Sequence, residues 1–263
     1  MNGLENVTGI FDSHAHYDDD AFSENRSEVI ESIHQNGVCG VIDIGCDLES
    51  SRFAAELAGT YSWFYASAGV HPGNAERYNE EIESRLEALF NSPKVIAVGE
   101  IGLDYHYSSE NKNLQKTVFR RQMELAQRHH LPVIIHSREA TADTLEILYD
   151  FPANGVVHCF SGSAETAKEL IKMGYYIGFT GVITFSNAAK TKKAALKVPM
   201  NRLLLETDSP YMAPVPYRGK TCTSDLIRYT ASAIAELKGI STQEVVDKAR
   251  ENTLRLFNLN VNF

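Results

Sequence analysis

The chain has 263 residues, of which 43% are hydrophobic and 22% charged, with a formal net charge of −9. That length suits one α/β barrel, typically about 250 residues, and the apolar content excludes a disordered chain. The acidic surplus argues against broad adhesion to nucleic acid, which depends on neutralising phosphates with Lys and Arg. It does not argue against an enzyme that grips one phosphate through bound cations.

In chain order, the first apolar run, 8–13, reads as a strand that ends in His14-Ala15-His16. Side chains at i and i+2 of a strand point the same way, so both imidazoles can face one ion. An amphipathic stretch at 24–36 and a strand at 38–45 follow, then a helix at 50–59 and a strand at 63–70 ending in Gly-Val-His71-Pro. After a helix at 78–91, the strand 95–100 terminates in Glu100. The clearest helix is 113–130, with Leu114, Val118, Met123, Leu125 and Ala126 as its apolar face and Lys116, Arg120, Arg121 and Arg128 adding positive charge. Strand 132–136 ends in His136, helix 140–150 follows, and strand 155–159 contains His158. Helix 163–173, strand 175–179 and helix 187–197 lead to strand 202–206 and Asp208. Helices at 223–238 and 241–257 close the chain, the last opening with Ser241 and Glu244 in a capping-box pattern.

Eight strand–helix alternations without a linker or repeat predict a single-domain (β/α)8 TIM barrel over 1–263. A doubly wound sheet is the alternative, but the Gly-x-Gly-x-x-Gly fingerprint after the first strand is absent. A charged group ending a buried apolar strand is costly without a partner, and a metal ion is such a partner. Four histidines and two carboxylates exceed the needs of one ion, since a catalytic zinc takes three protein ligands. The expected division places His14, His16 and Asp208 on one ion and His136 and His158 on a second, with Glu100 bridging. Imidazole-rich ligation favours zinc, manganese, iron or nickel over magnesium. A pair of ions activates water and clamps the attacking and leaving oxygens of a displacement, with Asp208 as the proton acceptor. The reaction class is hydrolysis of a phosphate ester, carboxyl ester or amide.

Arg138, in His-Ser-Arg, suits a phosphate, as does the basic loop Tyr217-Arg218-Gly219-Lys220. Tyr105, His106 and Tyr107 offer rings for stacking on a base, and His71 reads as a substrate or supporting contact. His34, His129 and His130 read as surface or helix-end residues. Cys39, Cys46 and Cys159 read as small buried hydrophobes, and no Cys-x-x-Cys pair occurs. Without a secretion signal or an apolar run of membrane-spanning length, a cytoplasmic location and no membrane partner are expected. No obligate protein partner is inferred.

These residues resemble those of the TatD-type metal-dependent deoxyribonucleases of the amidohydrolase superfamily. The matching stretches are Phe-Asp-Ser-His-Ala-His, Gly-Val-His-Pro, Gly-Glu-Ile-Gly-Leu-Asp-Tyr, Pro-Val-Ile-Ile-His-Ser-Arg, His-Cys-Phe-Ser-Gly, Glu-Thr-Asp-Ser-Pro-Tyr and Tyr-Arg-Gly-Lys, spread over residues 11–220. The resemblance implies a (β/α)8 barrel with two divalent metals on the same six residues. It also implies 3′-to-5′ exonuclease action on single-stranded DNA or RNA ends. The alternative it leaves open is an ester, lactone or amide hydrolase acting on a small molecule or aminoacyl ester. One departure stands out: after Arg-Gly-Lys the family usually continues with a basic residue and Asn-Glu-Pro, whereas here the chain reads Thr221-Cys222-Thr223-Ser224.

Overall fold

The computed structural model describes residues 4–106 and 110–260. Its strands are β1 (Ile10–Ala15), β2 (Val38–Asp43), β3 (Phe64–Ala68), β4 (Val95–Asp104), β5 (Val133–Arg138), β6 (Gly155–Val157), β7 (Tyr176–Phe179) and β8 (Leu203–Leu205). They follow one another in sheet order from β1 to β8. The pairings of β3 with β4, β4 with β5, β5 with β6 and β7 with β8 are parallel. Helices α1 (Arg26–Gln35), α2 (Leu48–Thr60), α3 (Glu80–Leu89), α4 (Lys112–His129), α5 (Thr141–Tyr149), α6 (Ala164–Met173) and α7 (Ala189–Lys197) alternate with the strands. Helices α8 (Ile227–Lys238) and α9 (Thr242–Leu256) follow β8. The arrangement is the expected (β/α)8 fold.

The chain groups into two compact units. The first comprises residues 1–42, 159–172 and 176–263. Here α9 packs on β1 and β8, and α8 packs on α7 and α9. Val245 and Val246 of α9 are wholly covered, a burial that stabilises by roughly 1.5–3 kcal/mol per side chain. A parallel bridge, Ala15 to Ser209, joins β1 to the segment after β8. Asp208 N donates to His14 O at 2.9 Å, and His16 N donates to Ser209 O at 2.8 Å. The Ser241 hydroxyl caps α9 by accepting from Glu244 N, one arm of the expected capping box. The Thr221–Ser224 departure is pinned: Cys222 N donates to Pro210 O at 2.9 Å, and the Ser224 and Tyr17 hydroxyls lie 2.8 Å apart.

The second unit comprises residues 43–158 and 173–175, with α2 on β3, α4 on β4 and α5 on β5. Asp47 and Ser50 form a reciprocal capping box that starts α2. β4 is buried along its whole length and corrects the expected end of that strand: it runs four residues past Glu100, to Asp104. Its register against β5 shifts between Val98 and Ile101. α4 also departs from expectation. Leu114 is exposed, while the buried face carries Gln115, Phe119 and Gln122 beside Val118, Met123, Leu125 and Ala126. The four cations of the helix are each paired with carboxylates: Lys116 with Asp143, Arg120 with Asp150, Arg121 with Glu83, and Arg128 with Glu83 and Glu87.

Candidate metal centre

The first cluster lies in the first unit. His14 is the next-to-last residue of β1 and His16 follows its end, so the alternation of the strand turns both rings one way. Their Nε2 atoms are 3.2 Å apart, and Asp208 Oδ1 lies 3.6 Å from the first and 3.4 Å from the second. Donors bound about 2.0–2.1 Å from one tetrahedral ion are separated by about 3.3–3.4 Å, so the three atoms have the spacing of ligands to a single cation. Behind them, the wholly buried Asp12 accepts from His14 N at 3.2 Å and Thr207 N at 3.0 Å, while the Thr207 hydroxyl donates to it. Burial pushes the Asp12 carboxyl up to about 6, against these hydrogen bonds.

The second cluster lies in the second unit. Glu100 Oε1 is 2.7 Å from both His136 Nδ1 and His158 Nε2, and those two nitrogens are 3.1 Å apart. Glu100 is anchored through its backbone, its N–H donating to Gly45 O at 2.7 Å. The other ring nitrogen of His136, Nε2, meets Asp104 Oδ2 at 3.2 Å. A carboxylate behind a histidine fixes ring orientation and raises ligand basicity in metal sites. Burial opposes a charge on His136, but Asp104 and Glu100 outweigh it and hold the imidazole up to about 9.

Glutamines of α4 brace this second unit. Gln115 exchanges two hydrogen bonds with the backbone of Asp104, at 2.9 and 3.0 Å. Gln122 does the same for Val70, at 2.7 and 2.9 Å, and so steadies His71 beside it. His71 Nε2 lies 3.8 Å from Glu100 Oε1, and burial lowers its imidazole to about 4 in spite of that carboxylate. His71 Nδ1 accepts from Gly73 N at 3.0 Å, capping the 3-10 turn that follows.

The remaining residues singled out from sequence sit as follows. Arg138 is half-buried at the end of β5, paired in register with Asp104. The Tyr105 hydroxyl donates to Asp143 at 2.6 Å and the Lys112 ammonium covers one ring face at 4.4 Å. His106 meets Glu139 at 2.7 Å, and Tyr107 lies outside the described residues. The Arg218 guanidinium rests 4.4 Å above the Phe185 ring, and Lys220 is exposed. His34 bonds Val38 O, His129 bonds Glu87, and His130 ends α4 in the left-handed region. Of the cysteines, Cys222 alone is fully buried; Cys39, Cys46 and Cys159 are half-buried, which corrects their reading as interior hydrophobes. Asp104 and the two glutamines escaped the sequence reading, as did the approach of Cys46 to Glu100. The Leu-Asp104-Tyr stretch held a signal, a carboxylate two residues past a glycine in an apolar run.

A family model described as TatD related DNase matches residues 11–258. An uncharacterized metal-dependent hydrolase of Bacillus subtilis, YabD, is 41% identical over 254 residues, covering 95% of this chain and all of that protein. The Escherichia coli counterpart YcfH is 37% identical over 257 residues, covering 95% of this chain and 96% of its own length. Among solved structures, YjjV, a TatD homologue from Escherichia coli, superposes with a TM-score of 0.90 at 33% identity, covering 95% of this chain and 98% of that one. With these likenesses spanning nearly its whole length, the chain belongs to the TatD family of metal-dependent hydrolases.

Proposed function

We propose that this hydrolase is a phosphodiesterase that trims single-stranded DNA or RNA from the 3′ end through a binuclear divalent-metal centre. The observation that carries the reading is the pair of clusters, each gathering three nitrogen and oxygen donors 2.7–3.6 Å apart. Strand ends of a (β/α)8 barrel converge on one mouth, and on that ground both clusters are assigned to one centre. His14, His16 and Asp208 would hold the first ion and His136 and His158 the second, with Glu100 shared between them. Bound ions supply electrostatic stabilisation of the attacking and leaving oxygens.

The chain's own groups then act as follows. Asp208, half-buried beside two imidazoles, accepts the proton of the attacking water. Asp104 holds the His136 ring so that Nδ1 faces Glu100. Arg138, Arg218 and Lys220 take phosphates, the guanidinium forks matching phosphate oxygens. His71 and Tyr105 contact the sugar or base. The acidic surface limits loose binding along a strand and suits capture of an end.

The test pairs elemental analysis of gently purified protein with digestion of 3′- and 5′-labelled single strands by the same sample. Two ions per chain and metal-dependent shortening from the 3′ end are expected. Two ions without shortening of either strand would reject the nuclease and direct the search to esters, lactones and amides.

A further inference from the structure

Glu100 divides its oxygens between different neighbours. Oε1 faces His136 and His158, while Oε2 faces Cys46 Sγ at 3.6 Å. Cys46 follows β2 and its backbone is held from three directions. Its N–H donates to Ser50 Oγ at 2.9 Å, and its carbonyl accepts from His71 N at 2.9 Å and Asn74 Nδ2 at 3.0 Å. The preceding residue, Gly45, accepts from Glu100 N. Thiol and carboxylate are therefore mounted on one braced piece of backbone, and the thiol is half-buried rather than sealed in the core. A thiolate and a carboxylate bound to one tetrahedral ion at about 2.3 and 2.0 Å lie about 3.5 Å apart, close to the separation seen here.

We propose that Cys46 Sγ is a ligand of the ion served by Glu100 Oε2, and that this sulfur turns the centre toward thiophilic cations, zinc above manganese and magnesium. The inference rests on the reading of the histidine and carboxylate clusters as a metal centre. Binding breaks the S–H bond, the sulfur keeps the electron pair and donates it to the ion, and the proton passes to solvent.

The experiment titrates the full-length, metal-stripped chain with cadmium and cobalt(II), counting bound ions while recording the ultraviolet thiolate-to-metal charge-transfer band. The band is expected to grow with bound ion in the unaltered chain and in Cys39→Ser, and to be missing in Cys46→Ser. The ratio of zinc to manganese affinity is expected to fall about tenfold or more in Cys46→Ser. In the unaltered chain, zinc is expected to protect Cys46 from iodoacetamide, read by peptide mass, so the inference stays testable if the variant misfolds. A band that persists in Cys46→Ser, or alkylation of Cys46 unchanged by zinc, overturns it. Ions bound without any thiolate band reject the Cys46 assignment alone, whereas no ion bound rejects the metal-centre reading and this inference with it.

Discussion

Asp208 carries a backbone φ of 64°, a left-handed conformation that residues other than glycine adopt infrequently and that tends to mark functional sites. Its N–H bond to His14 O keeps the carboxylate at the two imidazoles. Asp208→Asn preserves the side chain's shape but removes its basicity. The variant is expected to lose at least about 10²–10⁴-fold in kcat with the fold intact, checked by steady-state hydrolysis alongside circular dichroism. At this scale the sequence was legible where a polar residue interrupts or ends an apolar run: His14, His16, Glu100, His136, His158 and Asp208 all do so, and each falls in one of the two clusters. Cys46 and Asp104 were not legible as neighbours of the centre. A cysteine after an apolar strand reads as one more hydrophobe, and Asp104 lies past Glu100, where the strand was expected to end, although β4 runs on to it.

β4 shows what a strand needs in order to pass close to its neighbour. At Gly102, φ is 140°, and an added Cβ would meet His136 O at 2.0 Å. Gly102→Ala should cost about 1–3 kcal/mol through backbone strain and push β5 away at His136, so urea unfolding and zinc affinity are both expected to fall. A second element-level device links α3 to α4. Glu83, almost wholly buried, accepts from Arg121 at 2.7 Å, Arg128 at 2.9 Å and the Tyr78 hydroxyl at 2.6 Å. Burial raises the Glu83 carboxyl, but these three donors outweigh it and hold the group below its ordinary 4.5. The folded state therefore favours the ionised form: the stabilisation is present above about pH 4.5 and is lost as pH falls through the lowered value. Glu83→Gln is expected to cost about 1–3 kcal/mol at neutral pH and to flatten the acid side of a stability–pH profile measured by denaturant melts. Strand and helix order was readable from hydrophobic periodicity. The pairing of the cations of α4 with Glu83, Glu87, Asp143 and Asp150 was not, because those partners lie on α3, on α5 and at the residue that ends α5, and close only in three dimensions.

For the molecule as a whole, alternation of apolar runs with amphipathic stretches was enough to indicate the (β/α)8 class, since each unit repeats one simple pattern. Substrate choice was less legible because it depends on where loop side chains such as Tyr105 and Arg218 turn, and they turn to Asp143, Lys112 and Phe185. Ions that bind only the folded chain stabilise it by mass action, about 2.7 kcal/mol at a free concentration 100 times Kd. For a chain of this size that corresponds to a Tm rise of about 5–10 °C. Scanning calorimetry with zinc and after chelation is expected to show it, and an unchanged Tm would argue that neither cluster holds an ion.

The seam between β1 and the segment after β8 has a kinetic consequence. His14 and His16 lie near the start of the chain and Asp208 some 200 residues later, yet two backbone hydrogen bonds and three convergent side-chain donors meet there. An ion held at that point would act as a clasp between segments far apart in sequence, closing only after β8 is in place. Deuterium uptake at the amides of His16 and Asp208 is therefore expected to slow on zinc addition.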